Sequence, residues 1–149
     1  MPKQATLDKL YMNVAAQIAS MSHARRAKVG AVIVKNDNII SMGWNGTPAG
    51  SDNNCEIEDA DGTLTTKREV LHAESNALCK LVSSESSVSS TGSTLYLTLS
   101  PCFECCKLIK QTKVARVVYR DHYRDTSGID FLKSHGVIVD NFKENDDEL

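Results

Sequence analysis

Along the chain, apolar residues recur first at helical spacing and then in short β-branched runs. Leu7, Leu10, Tyr11, Val14, Ala15 and Ile18 predict a helix from Thr6 to Met21, with Thr6 as its cap. Val29 to Val34 and Ile39 to Trp44 read as strands, and Lys35-Asn36-Asp37-Asn38 between them is turn chemistry, so the pair is a hairpin. The stretch from Ser51 to Arg68 is polar and reads as a long loop. A helix is expected over 72–82, followed by a serine-rich flexible connector over 83–93. Thr94 to Leu99 is a further strand, and a helix carrying several cysteines runs on to Thr112. Arg116 to Tyr119 is a strand, Ser127 to Ser134 a helix stopped by Gly136, and Val137 to Val139 the last strand.

That order, α-β-β-α-β-α-β-α-β, separates the later strands by helices and implies crossover connections. The expected fold is α/β: a three-layer α/β/α sandwich around a five-stranded mixed sheet. A chain of 149 residues suits one domain, residues 1–149, with 141–149 as an acidic tail.

Composition narrows the partners. Hydrophobic and charged fractions of 41% and 24% are those of an ordinary globular protein. A formal net charge of −2 supplies no basic field for a polynucleotide, so no nucleic-acid partner is expected. No signal-like or membrane-length apolar run is found, so the chain is expected to work in the cytoplasm, or in a host's cytosol if it is viral, without a membrane partner. Of the five cysteines, Cys55 stands alone and reads as a free thiol.

Two separated segments carry the candidate chemistry, His72-Ala73-Glu74 and Pro101-Cys102-Phe103-Glu104-Cys105. One imidazole and two thiolates form a borderline-soft donor set suited to Zn²⁺, and three protein ligands leave a position for water, as catalytic zinc sites do. Pro101 fits the start of a helix, which would put Cys102 and Cys105 on adjacent turns of one face near an N-terminal dipole that favours thiolate. His72 and Glu74 converge only where the chain is just entering a helix. Glu74 is then an acid–base residue rather than a ligand. A structural zinc half-site or a redox pair is the competing reading of Cys102 and Cys105. In Ser22 to Lys28 the arginines suit a phosphate, against the plainer reading of a solvated loop. Asn45 offers both a donor and an acceptor to a ligand, against the plainer reading of Gly43-Trp44-Asn45-Gly46 as a tight turn.

The motifs together resemble the cytidine deaminase superfamily and, within it, the deoxycytidylate (dCMP) deaminases. The resemblance covers about Val29 to Val139. It rests on the run Val29-Gly30-Ala31-Val32-Ile33-Val34, on Gly43-Trp44-Asn45-Gly46 with Pro48 and Gly50, and on His72-Ala73-Glu74-Ser75-Asn76-Ala77. Thr98-Leu99-Ser100-Pro101-Cys102 and Val118-Tyr119-Arg120-Asp121-His122-Tyr123 extend it. Trp44 stands where the family usually carries tyrosine.

The resemblance implies a zinc-dependent hydrolase that converts dCMP to dUMP and ammonia for thymidylate synthesis, with one catalytic Zn²⁺ on His72, Cys102 and Cys105. It implies Glu74 as the proton shuttle, the Ala73 N–H and the Ser100 carbonyl on the pyrimidine edge, and Asn45 on the sugar 3′-hydroxyl. Arg26 is the choice for the 5′-phosphate, with Tyr119 near ring or phosphate. It further implies a homohexamer activated by dCTP and inhibited by dTTP, with Mg²⁺ beside a bound triphosphate and an effector site at Gly43, Trp44, Asn45 and Gly46. A nucleoside deaminase, a tRNA adenosine deaminase and a zinc-stabilised binding module are the rival readings.

Overall fold

The computed structural model describes residues 3–86 and 88–144. Helix α1 (Gln4–Ala19) leads into the hairpin β1 (Gly30–Lys35) and β2 (Asn38–Trp44), and a second, small hairpin follows as β3 (Glu56–Glu58) and β4 (Leu64–Thr66). Helix α2 (Ala73–Ser83), β5 (Thr94–Leu99), α3 (Phe103–Gln111), β6 (Arg116–Asp121), α4 (Ser127–Ser134) and β7 (Ile138–Asn141) complete the chain. The main sheet has five strands in the order β2-β1-β5-β6-β7; β1 is antiparallel to both neighbours, whereas β5, β6 and β7 run parallel. This is the expected mixed sheet, with its parallel half built from right-length helical crossovers.

Strand alternation sorts the core onto two faces. Ala31, Ile33, Leu95, Leu97, Val117 and Tyr119 pack against α2, α3 and α4 through Ala77, Leu78, Ile109, Ile129 and Leu132. Val32, Val34, Tyr96 and Val118 face the other way, onto Tyr11, Met12, Ala15 and Ile18 of α1. Burying these faces supplies the main drive for the layered arrangement. Beneath α1 lies a polar knot: Asp8 accepts from the Tyr96 hydroxyl at 2.6 Å and from Arg116 at 2.9 and 2.7 Å. Among the described residues, no helix is long and apolar enough to cross a membrane.

Several sequence expectations need correction. Helix α1 starts two residues early, with Lys3 in the N-cap position, so Thr6 lies inside the first turn and is not the cap. The segment from Ser51 to Arg68 is not one loop. Asp59 Oδ1 accepts from the N–H groups of Asp61 and Thr63, and this turn folds Glu56–Glu58 onto Leu64–Thr66. The second half of the expected flexible connector is tied down: Ser90 Oγ donates to Thr112 O at 2.6 Å and Gly92 N–H to Lys113 O at 2.9 Å. Of the expected acidic tail, Asn141 closes β7 and its side chain donates to the carbonyls of Tyr119 and Arg120. Residues 145–149 of that tail, like Ser87 in the connector, lie outside the described residues.

Candidate active site

Two helix N-termini meet at the site. His72 is the N-cap of α2, which places Ala73 and Glu74 in the first turn and brings His72 and Glu74 together despite their spacing. Cys102 is the N-cap of α3 and Cys105 sits one turn on. Pro101 therefore precedes the cap instead of opening the helix. The strand β5 aims this second terminus, and Gly128 of α4 packs so tightly that an added Cβ would lie 2.7 Å from Cys106 Sγ.

His72 Nδ1 lies 3.2 Å from Cys105 Sγ and 3.5 Å from Cys102 Sγ. Among the described residues these three form the metal-donor cluster, with all ligand atoms within 4.8 Å of one another. Tetrahedral zinc, with bonds of about 2.0–2.3 Å to nitrogen and sulfur, needs donor separations of this order, so the residues fit the ion. Hydrogen bonds from Cys105 and then His72 pull the Cys102 thiol down to about 4. The hydrogen bond to Cys102 and burial push Cys105 up, and Cys102 likewise raises His72. A bound cation holds both sulfurs as thiolates, so its binding releases the protons the two cysteines carry.

Glu74 is 4% exposed, with Oε1 3.6 Å from His72 Nδ1. Burial pushes its carboxyl up. A carboxyl in that condition can both take and return a proton.

Two of the donors, His72 and Cys102, open onto a cavity of about 330 Å³, with Cys105 buried behind them. His72, Ala73, Glu74, Ser100 and Cys102 line one part of its wall; Arg26, Ala27, Asn45, Cys55, Glu56 and Thr66 also line it, with Tyr123, Val29, Val70 and Leu99. The predicted residues Arg26, Asn45, Ala73 and Ser100 are thus brought to the same cavity as His72, Glu74 and Cys102. Tyr119 is not. It is buried in the core below α2, edge-on to His122, and Tyr123 lines the cavity instead. Alternation along β6 turns the Tyr119 ring inward, and the chain reaches the cavity only after the strand ends, where Tyr123 N–H donates to Ser100 Oγ at 2.6 Å.

Asn45 spends its amide on the backbone: Oδ1 accepts from Val29 N–H at 2.9 Å and Nδ2 donates to Ala27 O at 2.8 Å. Gly43 and Gly46 also have structural work here. Gly46 exchanges both backbone hydrogen bonds with Leu71, and Asn76 Nδ2 donates to the Trp44 carbonyl at 2.8 Å. The turn over 43–46 therefore holds the start of α2. Glu56, Thr66, Cys55 and Tyr123 were missed as cavity residues.

The comparisons agree with this geometry. Residues 5–121 match the model of the cytidine and deoxycytidylate deaminase zinc-binding region. The fold and centre are those of a zinc-dependent hydrolytic deaminase of the cytidine deaminase superfamily. The chain is 31% identical to the deoxycytidylate deaminase of Enterobacteria phage T4, over 87% of this chain and 86% of that one. It is 34% identical to the deoxycytidylate deaminase of Mycobacterium phage D29, over 75% and 92%. The crystal structure of dCMP deaminase from the cyanophage S-TIM5 in complex with dCMP and dUMP superposes with a TM-score of 0.86 at 44% identity, covering 94% of this chain and 99% of that one. Within the superfamily, the chain belongs to the deoxycytidylate deaminases.

Proposed function

We propose that the protein hydrolyses dCMP to dUMP and ammonia. The observation that carries this reading is one cavity lined both by His72, Cys102 and Glu74 and by Arg26, a reactive centre and an anion-seeking guanidinium in one space. The names of the phage relatives and the ligands of the cyanophage structure support the substrate.

His72, Cys102 and Cys105 would hold Zn²⁺. When bound, the ion lowers the pKa of water and makes it a nucleophile near neutral pH. Glu74 takes the proton of the attacking water and passes it to the ring nitrogen N3 as oxygen adds at C4. It then moves the second water proton to the departing amine, so that dCMP and water leave as dUMP and ammonia. The Ala73 N–H, at the first turn of α2, and the Ser100 carbonyl orient the pyrimidine edge. Arg26 holds the 5′-phosphate and a spare lone pair or N–H of Asn45 meets the sugar 3′-hydroxyl. Replacing Glu74 with Gln tests the assignment: turnover should fall by about 10²-fold or more, the contribution of a positioned acid–base group, with zinc content unchanged. Retained turnover would remove Glu74 from the mechanism.

Control by nucleotides is part of the same proposal: dCTP activates, dTTP inhibits, and Mg²⁺ accompanies the bound triphosphate at the 43–46 turn. That turn packs on α2, so a ligand moving it moves Ala73 and Glu74. A homohexamer is proposed on the family resemblance, and the exposed Ile39 and Met42 of the edge strand β2 give it apolar surface to bury. A cytosolic setting, and a role in supplying thymidylate precursor, suit five unpaired cysteines and this substrate. Sedimentation with and without each triphosphate, alongside initial rates, tests the assembly and the regulation together.

A further inference from the structure

The small hairpin β3–β4 brings a carboxylate into the cavity wall where its burial calls for an explanation. Glu56 is 1% exposed, yet the main sheet and its two cores do not use it. Its Oε2 accepts from the backbone N–H groups of Arg25 at 2.9 Å and Arg26 at 3.0 Å. Its Oε1 has no hydrogen-bond partner among the described residues; Arg25 Nε is 3.7 Å away. Burying a charged group with one oxygen unpartnered is costly, and a neutral side chain could close the same hairpin more cheaply. Burial raises the carboxyl, but the two backbone N–H groups and both arginines outweigh it and keep Glu56 ionised.

The bonds this carboxylate makes all go to the basic segment that precedes β1. Thr66 of the hairpin and Asn54 just before it reach the same segment: Thr66 Oγ1 accepts from Arg26 Nη1 at 3.0 Å, and Asn54 Oδ1 accepts from Arg25 Nη2 at 3.3 Å. The backbone of Arg26 is thus held by Glu56 and its guanidinium by Thr66, both from one hairpin. Arg26, Glu56 and Thr66 all line the cavity. Arg25 makes the ion-pair contacts, 3.7 Å to Glu56 Oε1 and 3.7 Å to Glu58 Oε2, whereas the Arg26 guanidinium donates to the neutral Thr66 hydroxyl. Among the described residues the Arg26 guanidinium makes no ion pair, which leaves it to meet a ligand's anion.

We infer that Glu56 is a positioning residue: through the backbone of residues 25 and 26 it holds the Arg26 guanidinium for the phosphate monoester of the substrate, and so sets the preference for nucleotide over nucleoside. This rests on the dCMP reading above. Ordering a long arginine before the ligand arrives removes an entropic cost of binding, and the benefit is felt only by a substrate that carries the phosphate.

The test is the ratio of kcat/KM on dCMP to kcat/KM on deoxycytidine, measured for wild type, Arg26→Ala, Glu56→Gln and the double variant. A ratio is insensitive to the fraction of folded protein. Arg26→Ala should lower it by about 10- to 100-fold, the range for losing a charge-assisted contact. Glu56→Gln should lower it by about tenfold in the wild-type background and leave it unchanged in the Arg26→Ala background, because residues acting through one another are not additive. Glu56→Gln lowering both substrates equally, or lowering the ratio just as far without Arg26, would overturn the inference while leaving the substrate intact. A wild-type ratio near one would remove the dCMP reading and this inference with it.

Discussion

Replacing Gly43 with alanine should loosen the fold and the site together. Gly43 in β2 packs against α2 so closely that an added Cβ would lie 2.5 Å from the Ala73 carbonyl oxygen, 2.6 Å from the Ala77 nitrogen and 3.1 Å from Asn76 Cβ. Two of these are backbone atoms, so no side chain can rotate out of the way. The strand and the helix must part by several tenths of an ångström. That separation also strains the two hydrogen bonds tying them, Ser41 Oγ to Ala77 O at 2.6 Å and Asn76 Nδ2 to Trp44 O at 2.8 Å. Overpacking of this kind costs about 1–3 kcal/mol, and weakening the two bonds adds about 1 kcal/mol. A total of about 2–4 kcal/mol corresponds to a fall of about 6–12 °C in Tm for a chain of this size. Because α2 begins with Ala73 and Glu74, the same shift should lower kcat by about tenfold where reacting groups need near-attack geometry. Thermal melts followed by circular dichroism, with steady-state rates on the folded fraction, measure both. An unchanged Tm and kcat for Gly43→Ala would refute the claim that this turn fixes the start of α2.

Other changes probe separate parts of the molecule. Burial raises the Asp8 carboxyl, but hydrogen bonds from Arg116, Tyr96 and Gln4 outweigh that and leave it below its ordinary 3.8. Its stabilising effect is therefore complete above pH 3.8 and is lost as the pH falls through the lower folded value. Asp8→Asn should cost about 3 kcal/mol at pH 7 in urea melts, as an orphaned Arg116 would, and much less near pH 2; an equal cost at both would contradict the ion pair. Asn45→Ala removes the clamp between Val29 and Ala27, so Tm should fall by about 3–6 °C, from about 1–2 kcal/mol of lost hydrogen bonding, even without nucleotide. Stripping the metal with a chelator should lower Tm by about 8 °C, since a ligand held at about 100 times its Kd contributes about 2.7 kcal/mol; Cys102→Ser should make Tm insensitive to added zinc.

Much of the fold was legible because its elements obey strong local rules. The Asn36-Asp37 turn takes positive φ at both residues, 51° and 60°, the geometry that a two-residue hairpin demands and these side chains tolerate. The α1 periodicity and the alternation of β5 and β6 follow from which face meets a core. The β3–β4 hairpin was hidden because each strand is three residues long and one-sided, too short for a periodic signal. At the site, His72, Glu74, Cys102 and Cys105 could be read from spacing, since each pair belongs to one helix start. Glu56 could not. Its contacts with Arg25 and Arg26 lie about thirty positions away in sequence and depend on how the hairpin folds back. The burial of Tyr119 likewise follows from the inward face of β6, and its motif carries no such information.

The central claim is tested most directly by giving zinc-loaded protein dCMP and deoxycytidine and following dUMP or deoxyuridine and ammonia. The account predicts dUMP and ammonia in equal amounts from dCMP, far slower turnover of deoxycytidine, loss of both on chelation and recovery on adding Zn²⁺. Protein that binds zinc through His72, Cys102 and Cys105 yet releases no ammonia from dCMP would contradict it.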